Sequence, residues 1–166
     1  MQYFSQSRQA DKLIFLGLIL FLSGLVVGLF VQNMANPRMG MSAHLEGIMN
    51  GMFLVILGLI WKRLSLSKTL LKVTFWFVVY GTFANLLAVV IAAVTGFGGM
   101  MPLAGGQKGN QAIEGLISLL LITLSLCMLG VCVIVLIGFY RNMKHNKGES
   151  LVSEQDLEQG SISKLA

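Results

Sequence analysis

The chain alternates long apolar runs with short polar connections. Four runs stand out, Leu13–Val31, Leu45–Trp61, Val73–Val94 and Ile113–Tyr140. Each is close to or above the roughly 20 residues that cross a hydrocarbon core. No water reaches the backbone there, so each run is expected to be helical. The pattern predicts an all-α protein, an integral membrane four-helix bundle over residues 1–141. A polar cytoplasmic tail over residues 142–166 is expected to be poorly ordered. The fourth run is longer than a span needs and is expected to tilt or project.

Composition agrees with this reading. Hydrophobic residues make up 55% of the 166 and charged residues 11%, where a soluble domain carries about 25% charged. The net charge of +5 does not indicate nucleic acid, because ten of the twelve basic residues lie in three places. Those are the N-terminal segment, the Lys62–Lys72 connection and the tail. The other two connections hold only Arg38 and Lys108. Such a bias places both termini in the cytoplasm. The flank after Val31 offers no persuasive cleavage site, so the first run is expected to stay as a helix. Cys127 and Cys132 are five apart on one helix and point to different sides. Neither a disulfide nor a metal site is expected of them.

Antiparallel threading gathers scattered polar residues into one layer. The second helix is expected to begin on the outer side, which puts His44, Glu46 and Asn50 within about 9 Å of rise at its outer end. Asn85 falls in the outer half of the third helix, Glu114 at the outer start of the fourth, and Arg38 in the outer loop. Polar groups at membrane depth are costly and usually mark a working site. Helix phase then divides the group. Glu46 and Asn50, four apart, share a face, whereas His44 points roughly 120° away from Asn50, near Gly47 and Gly51. One helix thus offers His44 to one neighbour and a hydrogen-bonding pair to another. A flat cofactor on His44 would lie against the glycine surface.

Plainer readings stay open at this point. Glu46 and Glu114 suit helix N-termini, where negative charge is favoured. Asn50 and Asn85 suit interhelical hydrogen bonding, and the Gly24/Gly28 and Gly47/Gly51 steps suit close helix approach. His44 suits an interfacial histidine bonded to a carbonyl, and Trp61 and Tyr80 suit packing or interfacial aromatics. The glycine-rich 95–111 connection is either a closure over a site or a slack connector.

The runs Asn36-Pro37-Arg38-Met39-Gly40, Ser42-Ala43-His44-Leu45-Glu46-Gly47 and Asn50-Gly51 closely resemble the hydroxylaminobenzene mutases, small bacterial membrane enzymes. The likeness continues through Phe53–Trp61, Tyr80–Asn85, Gly99–Pro102 and Glu114–Leu116, and covers about residues 12–141. A more distant likeness is to the styrene oxide isomerases, where a histidine is followed six residues later by Asn-Gly-Met, as in His44 and Asn50-Gly51-Met52. That second resemblance implies a homotrimer with haem b between subunits. It makes His44 the single axial ligand, with the open iron face acting as a Lewis acid, and sets Asn50 beside the substrate. The only other histidine, His145, is in the tail, and one axial histidine leaves an iron position open. The chain departs from that family too, because its third-helix aspartate and tyrosine have no counterpart in Gly81–Val89.

Together the resemblances imply a membrane isomerase of the bacterial inner membrane that rearranges arylhydroxylamines to 2-aminophenols. They imply catalytic roles for Asn50, Asn85 and Glu46. His44, Gly47 and Gly51 would contact haem, and Arg38, Tyr80 and Glu114 would be further substrate-side residues. The implied partners are a small aromatic substrate, the bilayer and two further copies of the chain. Rival readings are an epoxide isomerase, a haem-binding scaffold without catalysis, and a small transporter with Glu46 or Glu114 as proton carrier. The expected position of both acids near helix ends weighs against the transporter.

Overall fold

The computed structural model describes the backbone of residues 2–165 and the side chains of residues 6–145. Four long helices carry the chain: α1 (Gln2–Phe30), α2 (Pro37–Ile60), α3 (Lys68–Thr95) and α4 (Gln111–Leu165). Among the described residues, Gln6–Asn33, Pro37–Arg63, Lys68–Thr95 and Gln111–His145 are long and apolar enough to cross a membrane. Among those residues the only extended pairing is an isolated bridge between Phe97 and Gln107. The architecture is therefore that of a multi-pass membrane protein. The expectation for the polar tail falls almost entirely on residues outside the described side chains.

The helices begin before the apolar runs do, because capping groups set their ends. Asn36 accepts from the Met39 N–H and Pro37 occupies the first turn of α2, where a missing N–H costs nothing. Ser67 accepts from the Leu70 N–H at the start of α3, and Gly96, at φ 74°, ends that helix in the left-handed region that glycine enters without strain. This early start corrects the depth expected for the polar residues. His44, Glu46 and Asn50 lie seven, nine and thirteen residues beyond Pro37, or about 10, 14 and 20 Å of helix rise. Glu46 is thus not a first-turn carboxylate, and Asn50 sits in the middle of α2.

The glycines of α1 and α2 form the tightest helix contact. A Cβ added to Gly47 would stand 2.5 Å from the Gly24 Cα, one on Gly51 2.6 Å from the Phe21 N, and one on Gly58 2.9 Å from the Ala10 O. With no hydrophobic drive between helices in lipid, such backbone approach supplies the dispersion contact that holds them. At the end of the molecule carrying the 61–67 turn, Trp61 is fully buried. Its Nε1 donates to Gln9 Oε1 at 3.2 Å, and Gln6 Nε2 donates to the Trp61 carbonyl at 2.7 Å. Trp61 is therefore a packing residue that fastens α2 to α1.

Within one chain the four helices form an open row. α2 packs between α1 and α3, α3 reaches α1 as well, and α4 leans on α3 and the 61–63 turn without packing on α1 or α2. Only 6% of the apolar window of α4 is buried, against 44% for α3. The all-helical, four-span expectation is met, with α4 the least covered of the four helices.

The α1–α2 contact predicts a contrast between glycines. Gly47→Ala forces two backbones apart and is expected to cost about 1–3 kcal/mol, whereas Gly130, with nothing within 4 Å of an added Cβ, is expected to gain up to about 1 kcal/mol as alanine. Thermal unfolding in detergent reads both.

Candidate functional site

Two amides converge on one carboxylate between α2 and α3. Asn85 Nδ2 donates to Glu46 Oε2 at 2.6 Å, and Asn50 Nδ2 donates to the same oxygen at 3.3 Å. Glu46 and Asn50 share a helix face because they are four apart, and α3 brings Asn85 across. Both bonds fall on Oε2, so Oε1 takes neither. All three residues are half-buried, while Leu45, Met49 and Met52 beside them on α2 are exposed. The carboxylate therefore lies in a polar seam that opens onto an apolar surface.

His44 faces the other way. Its Nδ1 meets the Gly24 carbonyl of α1 at 2.8 Å. A carbonyl only accepts, so Nδ1 carries the proton, and in the neutral ring that leaves the lone pair on Nε2. A Cβ on Gly28 would stand 2.5 Å from Nδ1, so the ring fits only because that position is glycine. Among the described residues no buried side-chain nitrogen or oxygen lacks a partner. The half-buried His44 has its one bond at Nδ1, so Nε2 opens to the surface. An imidazole oriented through Nδ1–H on a carbonyl is the arrangement of a metal-ligating histidine. The glycine surface expected beside it is already covered: Gly47 and Gly51 are buried against α1.

The remaining members of the expected layer stand apart from both groups. Glu114, in the first turn of α4, accepts from the N–H groups of Gly98 at 2.9 Å, Gly99 at 3.0 Å and Gly109 at 3.3 Å. It organises the 95–111 connection. Asn36 Nδ2 donates to the carbonyls of Ala104 and Gly105, both at 3.1 Å, and the Asn36 N–H donates to Ala93 O at 2.9 Å. The connection is thus a bonded cap over the ends of α2, α3 and α4 and not a slack connector. Arg38 is exposed beside that cap and lines a cavity of about 400 Å³ with Asn36, Thr95, Phe97 and Gln107. Tyr80 Oη pairs with Thr123 Oγ1 at 2.7 Å, tying α3 to α4. It also borders an apolar groove of about 540 Å³ lined by Phe83, Leu86, Leu87, Val90 and Leu120. Three of these contacts have no separate signal in sequence: the Gly24 carbonyl, the Gly28 clearance and the Asn36 clamp. The Gly24/Gly28 step is the nearest hint.

The sequence pattern of a family described as styrene oxide isomerase matches residues 9–140. The chain is 54% identical over 131 residues to hydroxylaminobenzene mutase HabB of Ectopseudomonas oleovorans, covering 78% of this chain and 80% of that protein. It is 43% identical over 127 residues to hydroxylaminobenzene mutase HabA of the same organism, covering 75% and 94%. No solved structure gives a significant match.

The role of Glu114 is checked by Glu114→Ala. Three backbone N–H groups lose their acceptor, so amide exchange at Gly98, Gly99 and Gly109 is expected to accelerate. Exchange at Val78 and Ala88 within α3 should stay slow.

Proposed function

We propose that this chain, which belongs to the styrene oxide isomerase family, is a membrane isomerase that converts hydroxylaminobenzene-type arylhydroxylamines to 2-aminophenols. The observation that carries this reading is the identity to two mutases over 131 and 127 residues, together with a family pattern over residues 9–140 that takes in His44, Glu46, Asn50 and Asn85. The family itself indicates an isomerase. Mutase chemistry is favoured over epoxide opening by the relatives' names and by the lack of aspartate and tyrosine in Gly81–Val89. The deeper position of Glu46 removes one argument against a transporter, yet nothing in the relatives' names favours transport.

The rest of the reading follows from charge and surface. Lys62, Arg63, Lys68 and Lys72 lie at the end carrying the 61–67 turn, while the opposite end has Arg38 and Lys108. That bias supports cytoplasmic termini in a bacterial inner membrane. The uncovered faces of α4 and of the α1–α2 pair support assembly with further copies, for which a homotrimer is the family's form. The substrate is a small, lipid-soluble aromatic, and the seam beside Glu46 opens toward the bilayer.

The residues present fit a haem b that His44 would hold. Among the described residues no three His, Cys, Asp or Glu side chains cluster as a metal site, but a porphyrin supplies its own four nitrogens and needs only His44 Nε2 from the chain. Because α1 covers Gly47 and Gly51, His44 is the residue that would hold haem. When bound, the iron would supply Lewis-acid stabilisation of the substrate oxygen as the N–O bond breaks. The chain's own part is to fix the imidazole through Gly24 and to meet the substrate nitrogen through Glu46, which Asn50 and Asn85 hold. Glu114 reads as a loop anchor, Tyr80 as a groove wall and Arg38 as a surface cation near the cap.

Detergent-purified protein given hydroxylaminobenzene is expected to release 2-aminophenol. His44→Ala is expected to lower the rate by about 10²-fold or more, the scale of losing a group that stabilises transition-state charge. No product from the wild type, or an undiminished rate from His44→Ala, contradicts the reading.

A further inference from the structure

Isomerisation of an arylhydroxylamine to a 2-aminophenol has a proton problem that the atom balance exposes. The hydroxyl leaves nitrogen and joins the ortho carbon, which then carries both the hydroxyl and its original hydrogen. The nitrogen is left as an imine and the ring is no longer aromatic. Aromaticity returns when the ortho hydrogen departs as a proton and the nitrogen gains one. No electrons are added or removed, and no co-reactant is consumed. The step needs a group that takes a proton from carbon and gives one to nitrogen.

Among His44, Glu46, Tyr80 and Glu114, three are committed elsewhere. Glu114 is occupied by three backbone N–H groups. The Tyr80 hydroxyl is paired with Thr123. His44 is fixed through Nδ1 on Gly24, and its open nitrogen lies on the α1 side of α2. Glu46 alone has one oxygen held and the other outside that pairing. Glu46 and Glu114 are also the only acids of the chain between Lys12 and Lys147.

On the mutase reading, we infer that Glu46 is the proton carrier of the reaction. Its Oε1 accepts the ortho proton and returns it to the neighbouring nitrogen, while Asn50 and Asn85 hold Oε2. Two carboxamides on one oxygen fix the rotation of the carboxylate and leave the other oxygen directed away from them. A carboxylate suits this role because it is regenerated at the end of each turnover. Asn85 is then a positioning residue that acts through Glu46.

The test uses hydroxylaminobenzene carrying deuterium at both ortho carbons, compared with the unlabelled compound, on full-length wild type, Glu46→Gln and Glu46→Asp. Glu46→Gln keeps the shape and an acceptor for Asn85 but cannot carry the proton. Its turnover is expected to fall by about 10²–10⁴-fold, the usual contribution of a positioned acid–base group. Its isotope effect on turnover is expected to exceed that of the wild type, because loss of the ortho hydrogen becomes the slow step. Glu46→Asp is expected to recover at least about tenfold of the loss, since it restores a carboxylate. Wild-type turnover in Glu46→Gln, or a fall in turnover with an unchanged isotope effect, overturns the inference and leaves Glu46 a structural residue. No aminophenol from the wild type is a different failure: it overturns the mutase reading and this inference with it.

Discussion

The approach of α2 to α1 through paired glycines is the constraint on which the rest of the structure depends. Gly24 and Gly47 bring two backbones so close that neither tolerates a side chain without movement. In lipid there is no hydrophobic force to pull helices together, so contact of this kind must carry the association. It also fixes what α2 displays. With the glycine stripe against α1, His44 is brought to the Gly24 carbonyl, and Glu46 with Asn50 is turned to α3. One packing decision therefore sets both polar groups.

That arrangement divides the chemistry between two sides of a single helix. His44 presents an open nitrogen on the α1 side, and the Glu46 carboxylate waits on the α3 side. The two do not converge within one chain. On the proposed reading, a reaction that uses both would draw them from neighbouring copies, for which the open row of helices leaves uncovered faces. The division also separates their roles. On that reading the imidazole anchors the cofactor, and the carboxylate held by its two amides meets the amine. The cap formed by Asn36, Glu114 and the 95–111 connection keeps the start of α2 in place above them.

Much of this is legible in the chain. The four spans follow from hydropathy, and the division of His44 from Glu46 and Asn50 follows from helix phase alone. The depth of Glu46 does not follow, because hydropathy marks where lipid solubility starts and not where a helix starts. Asn36 and Pro37 begin α2 eight residues before the apolar run, and that shift carries Glu46 out of the first turn. Gly47 and Gly51 look in sequence like open surface for a cofactor. Sequence spacing identifies a small-residue stripe but not the partner that covers it, and here the partner is α1. Glu114 and Asn36 hold the connection through backbone groups, which leave no mark in a pattern of side chains.

The central claim is that the α1–α2 seam orients a single imidazole whose Nε2 is kept for a haem iron. The absorption spectrum of detergent-purified protein, wild type beside His44→Ala, tests it most directly. The account predicts a Soret band in the wild type that is lost in His44→Ala while the helical circular dichroism is unchanged. A wild type purified from haem-replete cells with no such band, or a band of equal strength in His44→Ala, would contradict it.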